Sequence, residues 1–119
     1  MLMRMNPTNQ TDSSQIKYCT KANVPFLAQN GGVGWAKTFD LRSTGVLVNL
    51  AGLNAITIAS DKKTATIGGG ASIGDTIAAA DAADALVLTG NCNCVGSLSA
   101  YLGGGYGTST LLPLDFDAE

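Results

Sequence analysis

Two glycine-rich segments constrain this chain more than any other feature of its sequence. The first glycine loop is residues 30–35, and the second glycine loop is residues 89–96 with an extension at residues 103–107. Each follows a short apolar run that is typical of a strand, so glycines at the strand end leave backbone N–H groups free to approach a ligand. Two such loops in one small chain indicate an extended, dinucleotide-type cofactor whose pyrophosphate is held at more than one point.

Composition narrows the class of molecule further. The chain has 119 residues, of which 45% are hydrophobic and fifteen are glycine. This length and apolar content fit one globular domain with a packed core. The formal net charge is −2, and no basic stripe with interleaved aromatic residues is present. We therefore expect no nucleic-acid partner, and an anionic cofactor would be held by backbone dipoles rather than by lysines.

The sequence also predicts the cellular compartment of the protein and the absence of disulfide bonds and of a zinc site. The apolar start at residues 1–5 is far shorter than the roughly 7–15-residue core of a signal peptide, so we expect a cytoplasmic protein without membrane contact. The chain has three cysteines, Cys19, Cys92 and Cys94. This number is small and odd, so a disulfide framework is not expected. Zinc is not expected, because the chain has no histidine and C-x-C supplies only two of four ligands.

The first half of the chain alternates strand and helix. The pattern predicts a short edge strand at residues 3–5, a helix over residues 12–22 capped by Thr11 or Asp12, and two buried strands at residues 25–28 and 45–50. Together they predict a small β-α-β-β unit with some parallel pairing.

The pattern changes at residues 49–54, which is the expected subdomain boundary. Residues 56–58 and 64–67 alternate apolar and polar side chains and predict an antiparallel hairpin. A helix is predicted up to Ala83, with Ser72 and Asp75 forming a capping box at its start and an alanine face lying on the sheet. A strand at residues 86–88 is expected to deliver the second glycine loop. The predicted class is α+β.

Four motifs, in order along the chain, carry a resemblance to a known family. They are residues 26–32, 49–54, 65–72 and 91–107. From about residue 6 to residue 107 the chain resembles the fungal FAD-linked oxidases of the vanillyl-alcohol oxidase and berberine-bridge-like group. The resemblance implies a small β-α-β subdomain at about residues 1–52, the opening of a second, antiparallel-sheet subdomain of a PCMH-type FAD-binding domain at residues 53–107, and a divergent tail at residues 108–119.

The resemblance implies FAD as cofactor and, in a full-length form, an oxidase of alcohol, sugar or amine-type small molecules that passes electrons to oxygen. The candidate cofactor-binding residues lie on the two loops and their flanks: Gln29, Asn30, Gly31, Gly32, Val33, Gly34, Trp35, Gly90, Asn91, Cys92, Val95, Gly96, Gly103, Gly104, Gly105, Tyr106 and Gly107. No catalytic acid or base is identified.

The chain departs from the family pattern in three places. Val33 stands where many relatives carry a histidine bonded to the flavin, so that linkage is not available. Cys92 stands where some relatives attach a second bond; FAD is expected to be non-covalent or linked through Cys92. The family's substrate domain and the segment that usually precedes the first strand are absent, so the chain is expected to be truncated and inactive alone.

Structural alternatives accompany these predictions. The glycines at residues 31, 32 and 34 could form only a tight turn, and residues 68–70 are expected to be a strand-to-helix turn, because Ser72 already caps the helix behind them. Cys92 could be a small buried thiol, and Cys19 and Cys94 are expected to be packing residues. Trp35 either covers the cofactor or closes the core. The alternative function is a non-catalytic remnant or interaction fragment that does not bind FAD.

Overall fold

The computed structural model describes residues 3–5, 9–34, 41 and 43–102. The first half forms a three-stranded sheet from β1 (Met3–Met5), β2 (Phe26–Gln29) and β3 (Val46–Asn49), with helix α1 (Asn9–Lys21) between β1 and β2. The strand order is β1-β3-β2, and both pairs are parallel. The predicted β-α-β-β unit is confirmed. Helix α1 begins three residues before the predicted start. The polar residues around its start differ little in helix propensity, so the sequence pattern does not fix the first residue.

Strand β3 lies in the middle of this sheet and supplies the core. Val46 and Val48 are buried with Cys19 of α1, and Val24 and Leu50 pack around them. A central parallel strand is covered on both faces, which is why its sequence is continuously apolar. The packing role of Cys19, which is 1% exposed, is confirmed. The prediction that β2 is buried is wrong: it is an edge strand, and Phe26 is 41% exposed.

The second half contains an antiparallel hairpin of β4 (Ile56–Ile58) and β5 (Ala65–Ile67), as predicted. A short 3₁₀ turn (Leu50–Gly52) connects the two sheets. Residues 68–70 form the turn between β5 and the next helix, and their backbone lies against that 3₁₀ turn: the N–H of Gly70 donates to the Leu53 carbonyl at 2.9 Å. A Cβ atom at Gly70 would overlap the Leu50 carbonyl oxygen, so this turn requires glycine there.

Helix α2 (Ile73–Ala82) follows the turn and contacts β4. Its predicted capping box is present: the Ser72 hydroxyl accepts from the Asp75 N–H at 3.1 Å, and the Asp75 carboxylate accepts from the Ser72 N–H at 3.2 Å. The helix buries Ile73, Thr76 and Ala80, which share one face by their spacing. The expected alanine face is therefore only partly correct, because Ala80 shares the buried face with Ile73 and Thr76.

The segment before the second glycine loop is not the predicted strand. Residues 85–90 have no regular secondary structure, and Leu86 is 92% exposed. A three-residue apolar run is a strand only where another strand pairs with it, and no described strand does so here. Instead, the Leu88 carbonyl accepts the Tyr101 hydroxyl at 3.1 Å. Tyr101 belongs to helix α3 (Ser97–Leu102), which the sequence analysis did not predict.

Within the described part of the chain, no helix is long and apolar enough to cross a membrane.

Candidate functional site

A cavity of about 470 Å³ lies where β2 ends and the first glycine loop begins. This volume falls in the usual range of small-molecule sites, roughly 300–1,000 Å³. The cavity is lined by residues of β2, the first glycine loop, β3 and α3, together with Leu41, which precedes β3 in the chain: Leu27, Ala28, Gln29, Asn30, Gly32, Val33, Gly34, Leu41, Leu47 and Ser99. Its wall therefore combines parts of the chain that are far apart in sequence.

The first glycine loop presents backbone N–H donors beside this cavity. Residues 31–34 are exposed, and their backbone N–H groups donate to no other described residue. Gly32 has φ 77°, a left-handed conformation that costs any other residue about 1–2 kcal/mol. The Gln29 carboxamide lies over Gly32. A Cβ atom at Gly32 would lie only 2.7 Å from Gln29 Nε2. The loop is therefore a tight turn whose N–H groups have no acceptor among the described residues.

The two glycine loops touch each other through their backbones. A Cβ atom at Gly31 would lie 2.6 Å from the Gly96 nitrogen, and a Cβ atom at Gly96 would overlap the Asn30 carboxamide. The Asn30 Nδ2 also donates to the Ala71 carbonyl, with 3.4 Å between the two atoms. Glycine at positions 31 and 96 therefore permits a loop-to-loop approach that side chains would prevent.

Helix α2 holds the second loop in this position. The Ile73 N–H donates to the Val95 carbonyl at 2.9 Å, and the Ser97 N–H donates to the Ala71 carbonyl at 3.0 Å. Thr76 Oγ1 donates its only proton to the Ser72 carbonyl, so the buried Ser97 hydroxyl is the donor in the 2.8 Å bond between Thr76 and Ser97. A fully satisfied buried pair of this kind favours one arrangement of α2, the loop and α3.

Among the described residues, no charged side chain lines the cavity, so backbone dipoles contribute to its electrostatics. Nearby, hydrogen bonds from the Ser72 hydroxyl and backbone N–H hold the pKa of Asp75 below its ordinary value, so this carboxylate is ionised at neutral pH and committed to the helix cap. Burial raises the pKa of Tyr101, whose phenol stays protonated as the donor to Leu88. Neither group is placed to act as an acid or base in the cavity.

The structure brings together some of the predicted site residues and separates others. Five of them line the cavity, namely Gln29, Asn30, Gly32, Val33 and Gly34, while Gly31, Val95 and Gly96 form or flank the contact between the loops. Gly90 packs beside the Ile73 side chain, and Asn91 and Cys92 are exposed and are not among the lining residues. Trp35 and the extension at residues 103–107 lie outside the described residues.

Ser99 was not among the predicted site residues, and the expected packing role of Cys94 is wrong. Ser99 lines the cavity from α3, and its hydroxyl donates to the Gly96 carbonyl at 3.0 Å. The signal for α3 was the apolar spacing of Leu98, Tyr101 and Leu102 directly after Gly96. Cys92 and Cys94 are exposed, so neither is a buried packing thiol. The described residues hold no group of three or more histidine, cysteine or carboxylate side chains that could bind a metal ion.

A protein-family model for an FAD binding domain matches residues 5–112. The FAD-linked oxidoreductase OXR1 of Pyricularia oryzae is 36% identical over 104 residues, which are 87% of this chain and 20% of that protein. The FAD-linked oxidoreductase chyH of Penicillium rubens is 37% identical over 105 residues, covering 85% of this chain and 20% of that protein. The chain thus spans about a fifth of the length of these relatives.

Solved structures share the fold. Aclacinomycin oxidoreductase superposes with a TM-score of 0.73 at 20% sequence identity, over 89% of this chain and 22% of that one. The 6-hydroxy-D-nicotine oxidase from Arthrobacter nicotinovorans gives a TM-score of 0.64 at 24% identity, over 74% of this chain and 19% of that one. The predicted α+β fold class is confirmed by this likeness.

Proposed function

The chain belongs to the FAD-binding domain family, and from that premise we propose that its two glycine loops together hold the pyrophosphate of FAD. The observation that carries this proposal is the contact of Gly31 with Gly96 at the edge of a cavity of about 470 Å³. It makes one continuous backbone surface from two loops that lie far apart in sequence.

The donor set suits a pyrophosphate. Four consecutive N–H groups of residues 31–34 have no acceptor among the described residues, and consecutive N–H groups in turns form concave anion sites. The described lining residues are neutral, so these dipoles are a source of positive potential at the site. The Gln29 carboxamide at the rim can add a further N–H donor. We assign Gln29, Asn30, Gly31, Gly32, Val33, Gly34, Val95 and Gly96 to this cradle.

We propose that FAD is bound without a covalent bond. The Val33 side chain is a hydrocarbon with no nucleophilic atom. The Cys92 thiol is exposed and is not among the residues that line the cavity. Trp35, Gly90, Asn91 and residues 103–107 keep their assignment as candidate cofactor contacts from the sequence pattern alone.

The proposed activity is that of a flavin-dependent oxidoreductase, of which this chain supplies the cofactor-binding part. When bound, FAD supplies hydride acceptance from an alcohol, sugar or amine-type substrate, with oxygen as the electron acceptor. The residues of this chain bind and orient the cofactor. The described residues that line the cavity include no charged side chain, and the chain has no histidine.

A flavin titration tests the proposal. We expect the purified chain to bind FAD more tightly than riboflavin, which lacks the pyrophosphate, and to release free flavin on acid precipitation. Gly32→Val places a β-branched residue at φ 77° and should weaken FAD binding at least tenfold. Gly69→Ala is the matched control, because a Cβ atom there makes only ordinary contacts at 3.6 Å and the residue does not line the cavity.

The measurement is flavin fluorescence against protein concentration, with folding checked by circular dichroism. Equal FAD affinity for the wild type and Gly32→Val would show that the first glycine loop does not hold the cofactor. Absence of FAD binding by the folded wild type would favour the alternative, an interaction fragment without flavin. A flavin adduct that survives acid precipitation would contradict non-covalent binding.

A further inference from the structure

The Asn30 side chain holds an unusual position between the two glycine loops. Its backbone belongs to the first loop, but its carboxamide lies against Gly96 of the second loop and donates to the Ala71 carbonyl at the start of α2. The same Ala71 carbonyl accepts the Ser97 N–H at 3.0 Å. One carbonyl therefore receives a donor from the first loop and a donor from Ser97, which directly follows the second loop and begins α3, and Asn30 is half-buried at this junction.

The Asn30 carboxamide occupies the space that a side chain at position 96 would need. The three atoms nearest to a Cβ built at Gly96 all belong to the Asn30 carboxamide, and the farthest of them, Nδ2, would lie 2.6 Å away. Real Cβ atoms do not approach other atoms this closely, so any side chain at Gly96 must displace the carboxamide and break its bond to Ala71. Gly31 has a different constraint, because its neighbour is the Gly96 backbone nitrogen, which cannot rotate away.

The geometry points to Asn30 as a positioning residue that locks the second glycine loop onto the first, so that both loops contribute to one cofactor cradle. This inference rests on the proposed function, since the cradle is the FAD site assigned above. Asn30 acts through Gly96 and Ala71, and its side chain need not touch the cofactor. This positioning role predicts that the two loops separate when the Asn30 carboxamide is removed, while the strands and helices around them persist.

A double-mutant cycle tests this role. We expect Asn30→Ala and Gly96→Ala each to weaken FAD binding about tenfold, which corresponds to 1.4 kcal/mol. The double variant should bind FAD within about twofold of Asn30→Ala alone, because the space for the new methyl group is then empty. Gly31→Ala should not be rescued by Asn30→Ala, since its obstacle is backbone. Asn54→Ala, at an exposed asparagine after the 3₁₀ turn, is the matched control and should bind normally.

Amide hydrogen exchange supplies a readout that does not depend on FAD. In Asn30→Ala, the Ser97 amide should exchange at least tenfold faster, whereas β4 and β5 amides keep their wild-type rates. FAD affinity should fall while riboflavin affinity does not, because only the pyrophosphate cradle is disturbed. Additive losses in the cycle, or unchanged Ser97 exchange in Asn30→Ala, would overturn the positioning role. A folded wild type that binds no FAD would instead overturn the proposed function, and the exchange rates would still decide the contact.

Discussion

Asp75 illustrates how one exposed carboxylate fixes the helix to which the second glycine loop is attached. It accepts hydrogen bonds from the Ser72 N–H and hydroxyl, at 3.2 and 2.7 Å, and these bonds lower its pKa from the ordinary value of 3.8. A carboxylate whose pKa is lower in the folded state stabilises the fold above its unfolded pKa. That stabilisation is lost as the pH falls through the lowered value.

We therefore expect Asp75→Asn to lower the unfolding temperature by a few degrees at pH 7. The difference between wild type and variant should shrink as the pH falls below 3.8 and disappear once the wild-type carboxyl is protonated. Thermal unfolding followed by circular dichroism at several pH values measures this effect. Asp81→Asn, at an exposed position later on the same helix, is the control and should not lower the unfolding temperature at pH 7. A Ser72–Asp75 contribution that is independent of pH would be inconsistent with a charged cap.

At the scale of elements, the turn at residues 68–70 joins the two sheets through backbone contacts. The Gly68 N–H donates to the Ala55 carbonyl at 2.8 Å, and the Gly70 N–H donates to the Leu53 carbonyl at 2.9 Å. None of these glycines lines the cavity. Their role is to let the chain pass close to the 3₁₀ turn, as the sequence analysis predicted for a strand-to-helix turn.

Neighbouring glycines of this turn provide a matched pair of variants. A Cβ at Gly70 would overlap the Leu50 carbonyl oxygen, so Gly70→Ala should destabilise the fold by about 1–3 kcal/mol, the usual cost of overpacking. Gly69→Ala adds a methyl group at ordinary contact distance and should change stability by much less. Urea unfolding measures both, and the folded fraction of Gly70→Ala should keep its FAD affinity. Equal stability of the two variants would mean that the turn tolerates side chains.

Sequence patterns predicted those elements whose signal is local. The hairpin of β4 and β5 and the cap of α2 follow from side-chain alternation and from Ser72 with Asp75, which act over a few residues. The edge position of β2 depends on which strands pair with β3, and α3 is a short helix of six residues inside a glycine-rich segment. The position of β2 and the formation of α3 both depend on contacts between distant parts of the chain. The local sequence pattern was therefore not sufficient to predict them.

At the scale of the molecule, the same distinction applies to the site. That residues 31–34 form an exposed glycine-rich turn was predictable, because that property belongs to the loop itself. The contact of Asn30 with Gly96, and the contribution of Ser99 to the cavity, bring together residues from two halves of the chain. No spacing in the sequence encodes that contact. The identity of the cofactor came from the ordered resemblance to a family and not from any single motif.

Residue-resolved NMR during an FAD titration tests the central claim most directly, because it reports on each backbone N–H separately. We predict that the amides of residues 31–34 and of Gly96 shift together along one saturable binding curve, while amides of β4 and β5 do not shift. ADP, which carries a pyrophosphate without the flavin ring, should shift the same loop amides. Saturable FAD binding that leaves residues 31–34 and Gly96 unshifted would contradict a cofactor cradle built from the two glycine loops.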